Sequence, residues 1–185
     1  MAENGPMSLH FALDPDLTDE LGAEILTLWT DASNAGGAVG FVPPVTEDDV
    51  RATAAKQLAA VGTAEDPWAD RLLVARETAD GRLAGVLFFE SMRFGLMDHW
   101  RLLARVMVHP DFQGRGYGGQ LMAQAERVAR DWGLAGLRLT ARGGQGLERF
   151  YQRCGYREVG RVPGAIRIGA GDDRDEITFW LELRP

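Results

Sequence analysis

Residues 109–120 read HPDFQGRGYGGQ and lie between two apolar runs of different period. The run before them, 102–108, is typical of a buried strand, whereas 121–132 has the apolar spacing of a helix. A glycine-rich turn between a strand and a helix start favours anion binding, because backbone N–H groups and the helix dipole both point at the turn. The stretch therefore predicts a site for a ligand that carries phosphate.

Two common nucleotide-binding loops compete for this stretch. Gly114, Gly116 and Gly119 fit the dinucleotide-binding pattern, but residues 137–141, about 20 positions further on, read LRLTA and offer no carboxylate for a ribose hydroxyl. The phosphate loop of nucleotide triphosphatases needs Gly-Lys followed by Ser or Thr, and Lys56 is the only lysine of the chain. Both loops are disfavoured on chemistry.

A third pattern begins one residue earlier, at Gln113, and continues through Gly116 and Gly118. Here the sequence resembles the GNAT superfamily of N-acetyltransferases, whose pyrophosphate loop has Gln or Arg, two residues, Gly, one residue, and Gly or Ala. Residues 147–156, LERFYQRCGY, resemble the closing helix of that superfamily, in which a Tyr precedes Gly-Tyr or Gly-Phe. The two blocks occur in the expected order, and together they indicate this superfamily.

Composition and charge exclude several other classes of protein. A chain of 185 residues that is 45% hydrophobic predicts one domain over 1–185, with 1–7 as a candidate disordered segment. A net charge of −7 and a pI of about 5.0 disfavour nucleic acid as a partner, since phosphate backbones need a basic face. No apolar run reaches the roughly 18 residues of a membrane span, and no His or Cys motif suggests a metal. Cys154 is the only cysteine, which favours a reducing, cytoplasmic location.

Periodicity along the chain predicts an α/β fold with the order β-α-α-β-β-β-α-β-α-β-β. The predicted strands are 8–13, 71–78, 82–92, 101–108, 137–141, 156–162 and 177–183. The predicted helices are one behind a cap at Asp14-Pro15, then 46–61, 121–132 and 146–154. This order is the one that the resemblance implies, a single-domain mixed sheet flanked by helices.

The resemblance implies acetyl-CoA as co-substrate, with no metal. Backbone N–H groups of 114–119 are expected to take the pyrophosphate, with the side chains of Gln113 and Arg115 nearby. The strand before the loop is expected to carry a bulge that lets the pantetheine arm pair with its backbone, and the Val108 N–H is the candidate oxyanion donor, a role worth about 2.7–4 kcal/mol. The full set of candidate cofactor residues is Val106, Met107, Val108, Gln113, Gly114, Arg115, Gly116, Tyr117, Gly118 and Gly119.

Tyr151 occupies the position where the superfamily often has a tyrosine that protonates the departing thiolate. Ordinary phenol and thiol pKa values of about 10 and 8.5 are close enough for such a transfer. The alternative is that Tyr151 only packs beside Phe150. Cys154 has no neighbouring base in sequence and is expected to be a small buried thiol.

The general base is not marked by the sequence. Many superfamily members place a carboxylate on the central strand, but residues 100–106 read WRLLARV. Glu90, Asp98 and His99 are nearby in the chain, and a water chain or an amine that arrives uncharged is equally open. Substrate selection is expected from 33–50 and 163–172, with Phe41, Val42, Glu90 and His99 as candidate substrate residues.

The segment 39–44, VGFVPP, resembles acetyltransferases of the tabtoxin-resistance type, which modify a small amino-acid-like molecule. The expected activity is acetyl transfer from acetyl-CoA to a primary amine of a small molecule (amino-acid-like, antibiotic or toxin) by direct attack in a ternary complex. The alternatives are a CoA-binding sensor without turnover and a protein or peptide N-acetyltransferase. Relatives of this fold often dimerise, so a homodimer stays open.

Overall fold

The computed structural model describes residues 8–184, and its elements follow the order predicted from the sequence. The strands are β1 Leu9–Leu13, β2 Arg71–Glu77, β3 Leu83–Glu90, β4 Trp100–Val108, β5 Gly136–Arg142, β6 Arg157–Gly169 and β7 Asp172–Glu182. The helices are α1 Asp19–Asn34, α2 Glu47–Ala59, α3 Tyr117–Asp131 and α4 Leu147–Arg153. The proposed disorder of residues 1–7 lies outside the described residues. No helix within 8–184 has the length and apolar character that crossing a membrane requires.

The strands form a mixed sheet, as the sequence predicts. Their order is β1-β2-β3-β4-β5-β7-β6. Strand β1 is antiparallel to β2, and β7 is antiparallel to both β5 and β6. Strand β4 is parallel to β5, but this pairing covers only Trp100 to Leu102. Beyond Arg138, β5 is paired through Arg142 on its β7 edge.

The chain divides into two compact units that share β4 and α3. The first contains the residues up to Phe88 together with Arg105–Leu121, and the second contains Phe89–Ala104 and the residues from Met122 on. The expectation of one domain over 1–185 stays a prediction.

Helix α1 of the first unit begins four residues later than the Asp14-Pro15 signal predicts. Thr18 caps the helix by accepting a hydrogen bond from the Leu21 N–H at 3.2 Å. The Asp14 carboxylate instead accepts hydrogen bonds from the Arg71 side chain and from the Leu72 N–H, the latter at 2.9 Å. The predicted cap at 46 is confirmed, since Thr46 and Asp49 form a reciprocal capping box on α2.

Strand β6 of the second unit is much longer than predicted. Residues 163–169, expected to belong to a loop, are part of β6, which pairs with β7 through three register shifts. The turn that joins the two strands is confined to positions 170–171. Most of 163–172 is therefore part of a hairpin strand and not the loop that the sequence analysis expects.

Candidate active site

Strand β4 carries a backbone irregularity at Arg105, which has φ +50 although it is not glycine. L residues adopt this left-handed region only at a cost, so the surrounding contacts must hold it. Opposite this part of β4, Gly85 of β3 lets the strands approach closely. A Cβ on Gly85 would lie 2.6 Å from the Met107 carbonyl oxygen. The left-handed backbone of Arg105 thus lies in the strand for which the resemblance implies a bulge.

The backbone N–H and carbonyl groups at the end of β4 point to both sides of the strand. The His109 N–H donates to the Ala84 carbonyl on β3 at 2.9 Å. Because N–H groups of consecutive strand residues point to opposite edges, we expect the Val108 N–H to point away from β3. The Val108 carbonyl accepts a hydrogen bond from Gln113 Nε2 at 3.1 Å. Gln113 thus joins the glycine-rich loop to the strand end, a positioning role that the sequence did not indicate.

The loop between β4 and α3 has two left-handed glycines with open space beside them. Gly114 and Gly116 have φ +75 and +80, a region that only glycine adopts without strain, and no heavy atom lies within 4 Å of a Cβ built on either one. Helix α3 begins at Tyr117, directly behind them. The first N–H groups of a helix have no intrahelical partner, so we expect donors to lie beside this open space.

Positive charge lies beside this loop. The guanidinium carbon atoms of Arg82 and Arg115 lie 4.8 and 5.5 Å from the ring centre of Phe112, which is buried. Arg82 is paired with Asp111 at 2.7 Å, and this contact lowers the pKa of the Asp111 carboxyl. The predicted place of Arg115 near the loop is consistent with this contact.

The Tyr117 side chain faces the interior and not the loop. It is only 2% exposed, and its hydroxyl donates to Glu77 Oε2, a carboxylate that is itself only 5% exposed. Burial and this hydrogen bond raise the pKa of Tyr117 to about 12. Tyr117 can therefore serve a cofactor only through its backbone, and its side chain anchors the start of α3 to β2.

We expect Tyr117→Phe to lower the free energy of unfolding by about 1–3 kcal/mol, because Glu77 is then left buried without its donor. Glu77 Oε1 already has no hydrogen-bond partner. Urea unfolding of Tyr117→Phe, Glu77→Met and the double variant measures the coupling. Strict additivity of the two single effects would contradict the assignment.

Tyr151, the candidate general acid, lies within α4 of the second unit, three residues before the C-cap residue Cys154. It is 7% exposed, and its ring packs on Tyr156 and Phe179 with centroid distances of 6.0 and 5.6 Å. Desolvation raises the pKa of Tyr151 to about 12. The raised pKa of Tyr151 is therefore further from the ordinary thiol pKa of about 8.5 than the solution value of tyrosine is.

Cys154 ends α4 and is half-buried. Burial raises the pKa of the Cys154 thiol, so the nucleophilic thiolate is disfavoured. This supports the expectation that Cys154 is not a nucleophile.

The candidate substrate residues Phe41 and Val42 lie in a loop that is held at both ends. The Trp29 indole N–H donates to the Val39 carbonyl at 2.8 Å, and the Phe41 ring meets the Trp29 ring edge-on at 6.3 Å. At the other end, the Asn34 side chain both donates to and accepts from the Val45 backbone, each at 2.9 Å. Val42 is 40% exposed. The loop is thus a fixed wall with an open apolar side chain.

The other two candidate substrate residues belong to the second unit. Glu90 is half-buried at the end of β3, and the His99 side chain is largely exposed, with its Nδ1 4.0 Å from Asp98. Strand β4 carries no carboxylate, as its sequence already shows. Within residues 8–184 no group of three or more His, Cys, Asp or Glu side chains is arranged to hold a metal ion.

Arg105 is the polar side chain at this site that the sequence did not single out. Its guanidinium carbon lies 5.2 Å from the ring centre of Trp29, and Nη1 would lie 3.4 Å from a Cβ on Gly40. A charged residue inside an apolar strand was the available signal. Its contacts, with residues more than 60 positions away, could not be read from the sequence.

The chain is similar to known acetyltransferases in both sequence and structure. A model of the Acetyltransferase (GNAT) family matches residues 43–156, more than half of the chain. A candidate phosphinothricin N-acetyltransferase has a similar structure, with a TM-score of 0.77 at 19% identity over 96% of this chain and 100% of that one.

Two further solved structures share the fold. The candidate acetyltransferase YncA from Salmonella typhimurium, determined with its cofactor acetyl-CoA, has a TM-score of 0.71 at 20% identity over 98% of this chain and 96% of that one. The ribosomal-protein-alanine N-acetyltransferase from Brucella melitensis has a TM-score of 0.69 at 18% identity, over 95% and 99%. At such identities these likenesses establish the fold alone.

Proposed function

The chain belongs to the acetyltransferase (GNAT) family, and from that membership we propose that it transfers the acetyl group of acetyl-CoA to the primary amine of a small molecule. The observation that carries the proposal is the loop at 113–119. It combines two left-handed glycines, open space beside them and the start of α3. A pyrophosphate fits this arrangement, since it can accept several backbone N–H groups at once.

The proposed chemistry assigns one task to each group. Acetyl-CoA supplies the thioester, and the neutral amine of the acceptor attacks its carbonyl carbon, so that a C–N bond forms. The Val108 N–H stabilises the negative charge on the carbonyl oxygen. As the C–S bond breaks, the Tyr151 hydroxyl gives its proton to the sulfur and is later reprotonated from water. The amine nitrogen loses its extra proton to solvent or to a base.

A small acceptor is supported by the loop at 39–45. Trp29 and Asn34 fix both of its ends, so the wall formed by Phe41 and Val42 has little freedom to adapt to a flexible peptide. A preorganised, partly apolar wall suits a compact ligand.

Two measurements test the proposal in sequence. At about 100 times its Kd, acetyl-CoA should raise the melting temperature by about 5–11 °C, whereas NAD and ATP should not. Release of free thiol is then followed with a panel of small amines, and with peptides that carry a free N-terminus or a lysine. Turnover of small amines supports the proposal, and turnover of peptides alone replaces it with peptide acetylation. Binding of acetyl-CoA without turnover of any acceptor would leave a CoA-binding protein that is not a catalyst.

A further inference from the structure

Arg105 differs from Arg71, Arg76 and Arg82 of the first unit because no carboxylate among the described residues binds it. Arg71 and Arg76 bind Asp14 and Glu24, and Arg82 binds Asp111. Within residues 8–184 the Arg105 side chain takes part in no hydrogen bond or ion pair, and its Nε is buried without a partner. A guanidinium without an acceptor among these residues can bind one from solution through its Nη groups, since Nε itself is buried.

The position of the guanidinium is fixed without use of its donors. The Trp29 ring, fully buried and tied to Val39, attracts the cation through its face at 5.2 Å. Gly40, with φ +103 and no side chain, leaves room for Nη1. The N–H groups of Arg105 thus remain available beside the same wall that Phe41 and Val42 form.

We propose that Arg105 binds the carboxylate of the acceptor, so that the acceptor is a free amino acid or a close analogue. The planar guanidinium matches the two oxygens of a carboxylate, and such charge-assisted bonds are about twice as strong as neutral ones. This inference rests on the proposed function and adds the residue that selects an acceptor with a carboxylate. The amine of the same molecule is the group that becomes acetylated.

The test compares proteinogenic amino acids with their carboxamides as acceptors, by thiol release. For the unaltered protein we expect kcat/KM to be about 10- to 100-fold higher for an amino acid than for its carboxamide. Loss of the carboxylate charge lowers the pKa of the neighbouring amine, so the carboxamide offers more of the neutral nucleophile. A preference for the acid therefore reports recognition of the carboxylate and not amine reactivity.

The variant Arg105→Gln keeps Cβ, Cγ and a polar end but is shorter and removes the charge, and Arg105→Lys restores the charge. We expect Arg105→Gln to remove the preference, because KM for the amino acid rises much more than KM for its carboxamide. Arg105→Lys should recover part of the preference. The matched control Arg76→Gln changes the net charge equally in the same unit and should keep the preference.

The possible results distinguish failure of the Arg105 assignment from failure of the proposed acetyl transfer. Arg105 does not recognise the acceptor carboxylate if the unaltered protein prefers carboxamides or amines without a carboxylate. The same holds if Arg105→Gln keeps the preference for the acid, and in both cases the proposed function stands. If no amine at all is acetylated, the proposed function fails, and the acceptor class fails with it. The comparison of acid with carboxamide on the unaltered protein remains decisive even if a variant does not fold.

Discussion

Tyr151→Phe is expected to lower kcat by about 100- to 10,000-fold while acetyl-CoA binds as before. The substitution removes only the hydroxyl, and the ring continues to pack on Tyr156 and Phe179. Without the hydroxyl, the departing sulfur must leave as a thiolate or take its proton from water. Steady-state thiol release gives kcat, and the thermal shift with acetyl-CoA reports binding separately.

Tyr156→Phe is the matched control, because it makes the same change five positions away. The Tyr156 hydroxyl is buried without a hydrogen-bond partner, and its burial raises the pKa of Tyr156. Its removal should leave kcat close to that of the unaltered protein and the stability equal or higher. Equal losses of kcat in both variants would assign Tyr151 to packing and remove it from the mechanism.

The raised pKa of Tyr151 also fixes the direction of a pH effect. An ordinary tyrosine, with a pKa of about 10, is half deprotonated at pH 10. Desolvation raises the pKa of Tyr151 to about 12, so its acid form persists well above that pH. The rate should therefore show no alkaline decline from Tyr151 between pH 7 and 10. A decline centred within that range that vanishes in Tyr151→Phe would contradict the raised pKa.

Gly116→Ala is expected to weaken acetyl-CoA binding by about 100- to 10,000-fold. The added methyl group occupies the open space beside the loop and displaces a pyrophosphate from two or more charge-assisted hydrogen bonds, each worth about 1.5–3 kcal/mol. Since no protein atom lies within 4 Å of that Cβ, the methyl group clashes with nothing in the free protein. Titration of acetyl-CoA by calorimetry measures the change.

The left-handed φ of Gly116 adds a strain of about 1–2 kcal/mol to any substitution, and this must be separated from the effect on binding. Gly81, in the turn between β2 and β3, provides the control. Its φ of +73 is close to the +80 of Gly116, and it too has no atom within 4 Å of a built Cβ. Gly81→Ala should lower the melting temperature to a similar extent and leave acetyl-CoA affinity intact. Equal affinities in the two variants would exclude the loop as the pyrophosphate site.

The order of the helices and strands could be predicted because most of them have a local sequence signal. The Thr46–Asp49 capping box, the alternating strands and the glycine-rich turn before α3 each depend on residues close together in the chain. Asp14 shows where this fails. Its residue type and the following proline favour a cap, but its carboxylate is used by Arg71 and Leu72, almost 60 positions away.

The length of strand β6 was underestimated for a different physical reason. Nearly all of its residues are exposed, so its sequence shows no alternation of apolar and polar side chains. Gly164 lies within it with φ +62, and a glycine after Pro163 favours a turn when read locally. Only the pairing with β7, through three register shifts, makes this segment a strand.

The site was predictable to the extent that it depends on sequence motifs. The glycines of the loop could be placed by resemblance, and the structure gives them the backbone that an anion site needs. The anchoring contacts were not predictable, because they are hydrogen bonds that form only in the folded chain. Gln113 donates to the Val108 carbonyl, and Tyr117 donates to Glu77 on a separate strand. The left-handed backbone at Arg105 likewise has no signature in a run of strand-forming residues.

The clamped loop at 39–45 bears on how this protein can acquire new specificities. Trp29 and Asn34 hold Val39 and Val45 through hydrogen bonds to the loop's main chain, so the Val42 side chain takes no part in them and Phe41 adds only an edge-on contact with the Trp29 ring. Residues whose side chains carry no structural duty tolerate exchange, and here they border the candidate acceptor wall. A library randomised at 41 and 42 should retain most folded members while its acceptor range diverges, which makes this loop a natural starting point for directed evolution.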